Sequence, residues 1–96
     1  MINQMVVDTL EDFETYIRDN RFEFSEMIIQ TILDNLDVKE EFLMLEVYVE
    51  STDEIMEISM DPNYYVETLE KNLKIYEEFE EYEMCSYIKE AIEKLK

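Results

Sequence analysis

Glycine is absent from this 96-residue chain, where average usage would place roughly seven. Phosphate-cradling glycine-rich loops, dinucleotide-binding turns and EF-hand loops are excluded with it. There is no histidine and one cysteine, Cys85. A zinc centre, a disulfide, and a Cys-His or Ser-His nucleophile therefore cannot be assembled. Positive charge is scarce too, with 8 Lys and Arg against 26 Asp and Glu, for a formal charge of −18. No basic face exists to hold nucleic acid directly, and anionic lipid headgroups would repel this surface. Residues 1–10 carry no basic segment or apolar run of signal-peptide length. The longest uncharged stretches, 1–7 and 27–33, are far short of a membrane span. A lone cysteine and no leader predict a cytoplasmic protein.

What is present is an apolar fraction of 47%, enough for a core despite the charge. The length suits a single acidic domain, 1–96. Val6, Leu10, Phe13 and Ile17 recur at helical spacing, and Thr9 with Asp12, or Asp8 with Glu11, can cap that helix. Asn20 is expected to close it, tolerating a left-handed backbone in place of glycine. A second helix over 21–35 would bury Phe22, Ser25, Ile29, Ile32 and Leu36.

The period then changes to two. Residues 42–50, FLMLEVYVE, put Leu43, Leu45, Val47 and Val49 on one side and Phe42, Met44, Glu46, Tyr48 and Glu50 on the other. After the turn at 51–54, residues 55–60 alternate again, predicting a β-hairpin. Asp61-Pro62 starts a third helix, with Tyr65, Leu69, Leu73 and Tyr76 as its stripe. A break at 80–82 precedes a fourth helix carrying Cys85, Ile88, Ile92 and Leu95. The expected fold is α+β in the order α-α-β-β-α-α, with helices packed on one face of a two-stranded antiparallel hairpin. Cys85 falls on the apolar side of its helix, which predicts an inert buried thiol.

Between Lys39 and Lys71 no basic residue occurs, while ten acids do. Two further concentrations are Asp8, Glu11, Asp12 and Glu14, and Glu77, Glu78, Glu80, Glu81 and Glu83. Solvated acidic faces keep many proteins soluble, but a net charge of about 2 to 8 suffices for a small domain. The excess carries a self-repulsion cost that a strongly basic partner would offset. Duplex DNA places one negative charge per about 1.7 Å of axis. Carboxylates three or four residues apart on a helix lie about 4.5–6 Å apart along its axis. Rows of them on adjoining elements can stand in for phosphates in a basic groove. The expected contacts are Glu46, Glu50, Asp53, Glu54 and Glu57 of the hairpin, with Glu77, Glu78 and Glu81 assigned to the third helix. No metal or cofactor is expected, since the acids lack the loop spacing that wraps an ion. Nor is an enzyme, because among 26 acids some pair always fits glycosidase geometry by chance.

The rival reading is a small cytosolic adaptor or regulator. It would dock a partner through a Met/Tyr-rich apolar patch drawn from Tyr64, Tyr82, Tyr87, Met84, Phe42, Met44 and Tyr48. The same residues form either a secondary core or a self-association surface, and a homodimer would join two acidic faces into a longer charged rod.

The segments VVDTLEDFETYIRDNRFEFSEMIIQTILDNL and ETLEKNLKIYEEFEEYEMCSYIKEAIEKL resemble the Arn-like anti-restriction DNA-mimic proteins of T-even bacteriophages. The tail YEEFEEYEMCSYIKEAIEKLK is also similar to a helical hairpin widespread in small phage proteins. The first resemblance implies an inhibitor made in the host cell cytoplasm. Its partner would be a DNA-binding host protein: a restriction endonuclease such as McrBC, or a nucleoid protein such as H-NS. It supplies no catalytic residues.

Overall fold

The computed structural model describes residues 2–96. Seven main elements follow in the order β1 (Asn3–Val7), α1 (Leu10–Asp19), α2 (Arg21–Leu33), β2 (Phe42–Val49), β3 (Glu54–Met60), α3 (Tyr65–Glu78) and α4 (Tyr82–Leu95), with a 3-10 turn at Pro62–Tyr64 before α3. The sheet has three strands in the order β1-β2-β3. Strand β2 is its centre, parallel to β1 and antiparallel to β3.

This overturns the two-stranded hairpin and the α-α-β-β-α-α order. The first element is a strand, and the sheet is mixed. Val6 belongs to that strand and not to a helical stripe. It pairs with Tyr48 and points away from the helices, 64% exposed. Helix α1 begins only at Leu10, itself exposed, and its buried anchor is Phe13. Burial alternates along Asn3–Val7 in the two-residue period of a strand with one covered face. Met5 and Val7 reach the core. Asn3 lies on the same side, and its Nδ2 donates to Thr31 Oγ1 (3.3 Å) and to the Met44 carbonyl (3.1 Å). That polar side chain thus ties β1 to α2 and β2. Beyond the strand, the Glu50 and Ser51 amides donate to the carbonyls of Val7 and Asp8.

Helix α1 starts with a capping box. The Asp12 amide donates to Thr9 Oγ1 and the Thr9 amide to Asp12 Oδ2, both at 3.1 Å. It ends at Asn20, but that residue has φ −123°, so it is not left-handed as expected. Its side chain and amide both donate to the Tyr16 carbonyl instead. Helix α2 buries Ser25, Ile29 and Ile32, as its spacing predicts. Ser25 Oγ donates to Asn72 Oδ1 at 2.7 Å, and Asn72 Nδ2 donates to the Thr68 carbonyl at 2.8 Å. This satisfied polar pair lies buried where α2 meets α3. Asp61 opens the next segment, its Oδ1 accepting from the Asn63 amide at 2.9 Å. Tyr65 donates its hydroxyl to the Asn35 carbonyl, pinning the start of α3 to the chain just beyond α2.

The core joins Leu45, Val47 and Val49 of β2 to Phe13, Ile29, Ile32, Tyr65, Leu69 and Tyr76 from the helices. Cys85, Ile88, Ala91 and Ile92 complete it from α4, which packs on α3. Burial, then the nearby Glu77, pushes the Cys85 thiol up and leaves it protonated and inert. A β-bulge between Leu43 and Leu45 breaks the strict alternation expected of β2. It turns Met44 inward to 5% exposure beside Leu45, and Phe42 also packs against the core. Neither residue is on the outer face, so both leave the proposed apolar patch.

Candidate binding face

The helices cover one face of the sheet and leave the other open. On the open face, the strand register lines up two rows. Gln4, Glu46 and Glu57 stand side by side across β1, β2 and β3, followed by Val6, Tyr48 and Ile55. Glu46 and Glu57 are direct cross-strand partners. Their Cβ atoms therefore lie about 4.5–5.5 Å apart, and like charges so placed destabilise a sheet.

The hairpin tip adds Glu50 and Asp53. Asp53 takes the left-handed conformation, φ 54°, which aspartate tolerates through local hydrogen bonding. Its Oδ1 accepts the Tyr48 hydroxyl. That hydrogen bond, with smaller contributions from burial and from the Asp53 and Glu50 charges, raises the pKa of Tyr48. Glu54 pairs with Val49 in register, which places it on the helix-facing side at the sheet's edge. The five hairpin acids thus belong to one unit, with two on the open face, two at the tip and one at the edge.

The other three expected contacts are placed differently. Helix α3 ends at Glu78, so Glu81 is not on the third helix. It lies in the α3–α4 turn, where it lines a recess with Phe22, Glu26, Ile29, Tyr76 and Met84. Glu77 is exposed in the last turn of α3. Glu78 is neutralised, forming an ion pair with Arg21.

Cations are unevenly distributed over the fold. The three strands contain no basic residue. Among the described residues the ion pairs are Arg18–Asp19, Arg21–Glu78, Lys71–Glu67, Lys94–Glu90 and Lys96–Glu70, all between helical residues or the chain end. None involves Glu46, Glu50, Asp53, Glu54 or Glu57. Five helical acids are paired and others, Glu11, Glu14, Glu23, Glu77 and Glu93 among them, are not, whereas the strands and the tip between β2 and β3 hold no cation at all.

Sequence reasoning missed Gln4 and Val6 as members of this face, because β1 was not foreseen. The sequence NQMVV does not alternate polar with apolar residues; its signal was the β-branched pair Val6-Val7, which the helical spacing from Val6 to Ile17 obscured. Among the described residues no three acids or cysteines gather closely enough to hold a metal ion, and no helix is long and apolar enough to cross a membrane. Comparison with protein-family models, curated proteins and solved structures finds no match for the chain.

Proposed function

We propose that the protein is a DNA-mimic inhibitor. It occupies the basic DNA-binding groove of a host protein, a restriction endonuclease such as McrBC or a nucleoid protein such as H-NS, and so excludes DNA. The observation that carries this reading is the bare charge of the hairpin: five carboxylates with no ion-pair partner among the described residues, two of them opposed across the strands. Like charges opposed across strands cost stability, a cost that a strongly basic partner surface would offset. Each carboxylate would accept charge-assisted hydrogen bonds from Arg or Lys in the groove. Steered encounter between opposite potentials would speed association. The molecule's long dimension of 42 Å corresponds to the rise of about 12 base pairs, enough to fill one such groove.

Displacement of a labelled duplex from H-NS or McrBC tests the reading. The protein should release the duplex, with an affinity that falls about tenfold or more between about 50 and 200 mM salt. Glu46→Gln/Glu57→Gln should weaken displacement while raising the melting temperature, since it removes the like-charge pair. No release of duplex at a large excess of protein would overturn the mimicry.

A second reading, an adaptor docking through apolar residues, is favoured by Phe79, Tyr82 and Tyr87, each more than half exposed around the α3–α4 turn and along α4. Its affinity would be indifferent to the Glu46→Gln/Glu57→Gln change.

A further inference from the structure

The open face holds more than charge. Val6 and Ile55 are 64% and 61% exposed on either side of Tyr48. With strands about 4.8 Å apart, this apolar row is about 10 Å long, and the Glu46–Glu57 row lies about 7 Å from it along the strands. On the opposite side of the row the Tyr48 hydroxyl is held by Asp53, which draws the ring toward the hairpin tip. Gln4, Met5, Val6, Glu46, Tyr48 and Ile55 line a shallow hollow of about 230 Å³. The apolar row is therefore flanked by carboxylates on both of its long sides.

We propose that this hollow is the seat of an arginine side chain from the basic partner, with its stem on Val6 and Ile55 and its guanidinium between the Tyr48 ring and Glu46 and Glu57. The inference rests on the mimicry reading and names the group that reading would contact at this face. Arginine suits the geometry better than lysine. Its guanidinium is planar and weakly hydrated, stacks on aromatic rings and pairs with carboxylates through several N–H groups at once. A neutral apolar partner would bury Glu46 and Glu57 without a counter-charge, at high desolvation cost. A second copy of this chain docked face to face would set those carboxylates against their own equivalents, with no basic residue on any strand to separate them. The apolar strip gives the contact a component that salt does not screen, beside the one that it does.

NMR titration of the full chain with hexa-arginine and hexa-lysine peptides, at physiological salt, tests the assignment. Saturable shifts should appear at the Val6 and Ile55 methyl groups and the Tyr48 ring, with arginine binding severalfold tighter than lysine. Val6→Ser/Ile55→Ser should lower hexa-arginine affinity severalfold. Both side chains are solvent-exposed, so unchanged core methyl signals will show the variant folded. Equal affinity for the two peptides, shifts confined to helical acids, or full affinity in the folded variant would overturn the seat. Arginine seating here without displacement of duplex from H-NS or McrBC sinks the mimicry alone. Displacement undiminished by Val6→Ser/Ile55→Ser sinks the seat alone.

Discussion

Ser25 and Asn72 show what a polar residue costs when its partner is removed. Ser25 is the only donor to Asn72 Oδ1 among the described residues, and both are buried. Ser25→Ala strands that oxygen, for about 1–3 kcal/mol. In a domain of this size each kcal/mol lowers the melting temperature by about 4–8 °C. A thermal double-mutant cycle with Asn72→Ala should show the pair coupled, the double variant losing less than the sum of the singles. Independent effects would mean that the hydrogen bond contributes nothing. Tyr76 is a second residue whose surroundings set a measurable property. Burial first, then the charges of Glu26 and Glu81, pushes its hydroxyl up to about 12 from an ordinary 10.0. The folded state therefore holds this proton more tightly than the unfolded chain, so its contribution is complete below pH 10 and is lost as pH rises toward 12. Melting temperature should fall over that interval. Tyr76→Phe should fall less steeply, with tyrosinate absorbance reporting one late-titrating ring fewer.

Elements were legible wherever a local signal marked them. Thr9 with Asp12 and Asp61 with Pro62 announce helix starts, and the stripes through Ile29–Ile32 and Tyr65–Leu69–Tyr76 show which side is buried. The β2–β3 hairpin was visible from its alternation. Strand β1 was not, because five residues carry little periodicity and its partner begins at Leu45, outside any local window. Nor was the bulge at Met44, since an extra residue leaves no compositional trace. The hairpin acids were found as a sequence cluster. Their bareness was not, because it depends on where the helices place their lysines and arginines. The end of α3 is a further case. The Glu81 amide donates to the Tyr76 carbonyl and the Glu80 amide to that of Glu77, a Schellman closure with Glu80 at φ 58°, the position that usually takes glycine. A left-handed residue with a side chain costs about 1–2 kcal/mol, partly offset by the greater freedom glycine has when unfolded. Glu80→Gly should raise the melting temperature by a few degrees. A lower value would show that the Glu80 side chain holds the turn.

At the scale of the whole molecule, self-repulsion is set by the −18 formal charge and by a flattened form measuring 42 × 31 × 18 Å. Its radius of gyration is 14.3 Å, against about 12.5 Å for a compact domain of this length. Flattening spreads like charges apart, and added salt should complete the relief. Melting temperature should therefore climb between about 10 and 500 mM sodium chloride, as the screening length shrinks. A fall would mean that the few ion pairs outweigh the general repulsion. The parallel pairing of β1 has a consequence for biosynthesis. Asn3 meets Leu45, so the first strand leaves the ribosome and waits about 2 to 8 s at 5–20 residues per second before its neighbour is made. Until translation reaches β2, Met5 and Val7 have no sheet to join, and the nascent chain's own like charges are what keep it from sticking to others.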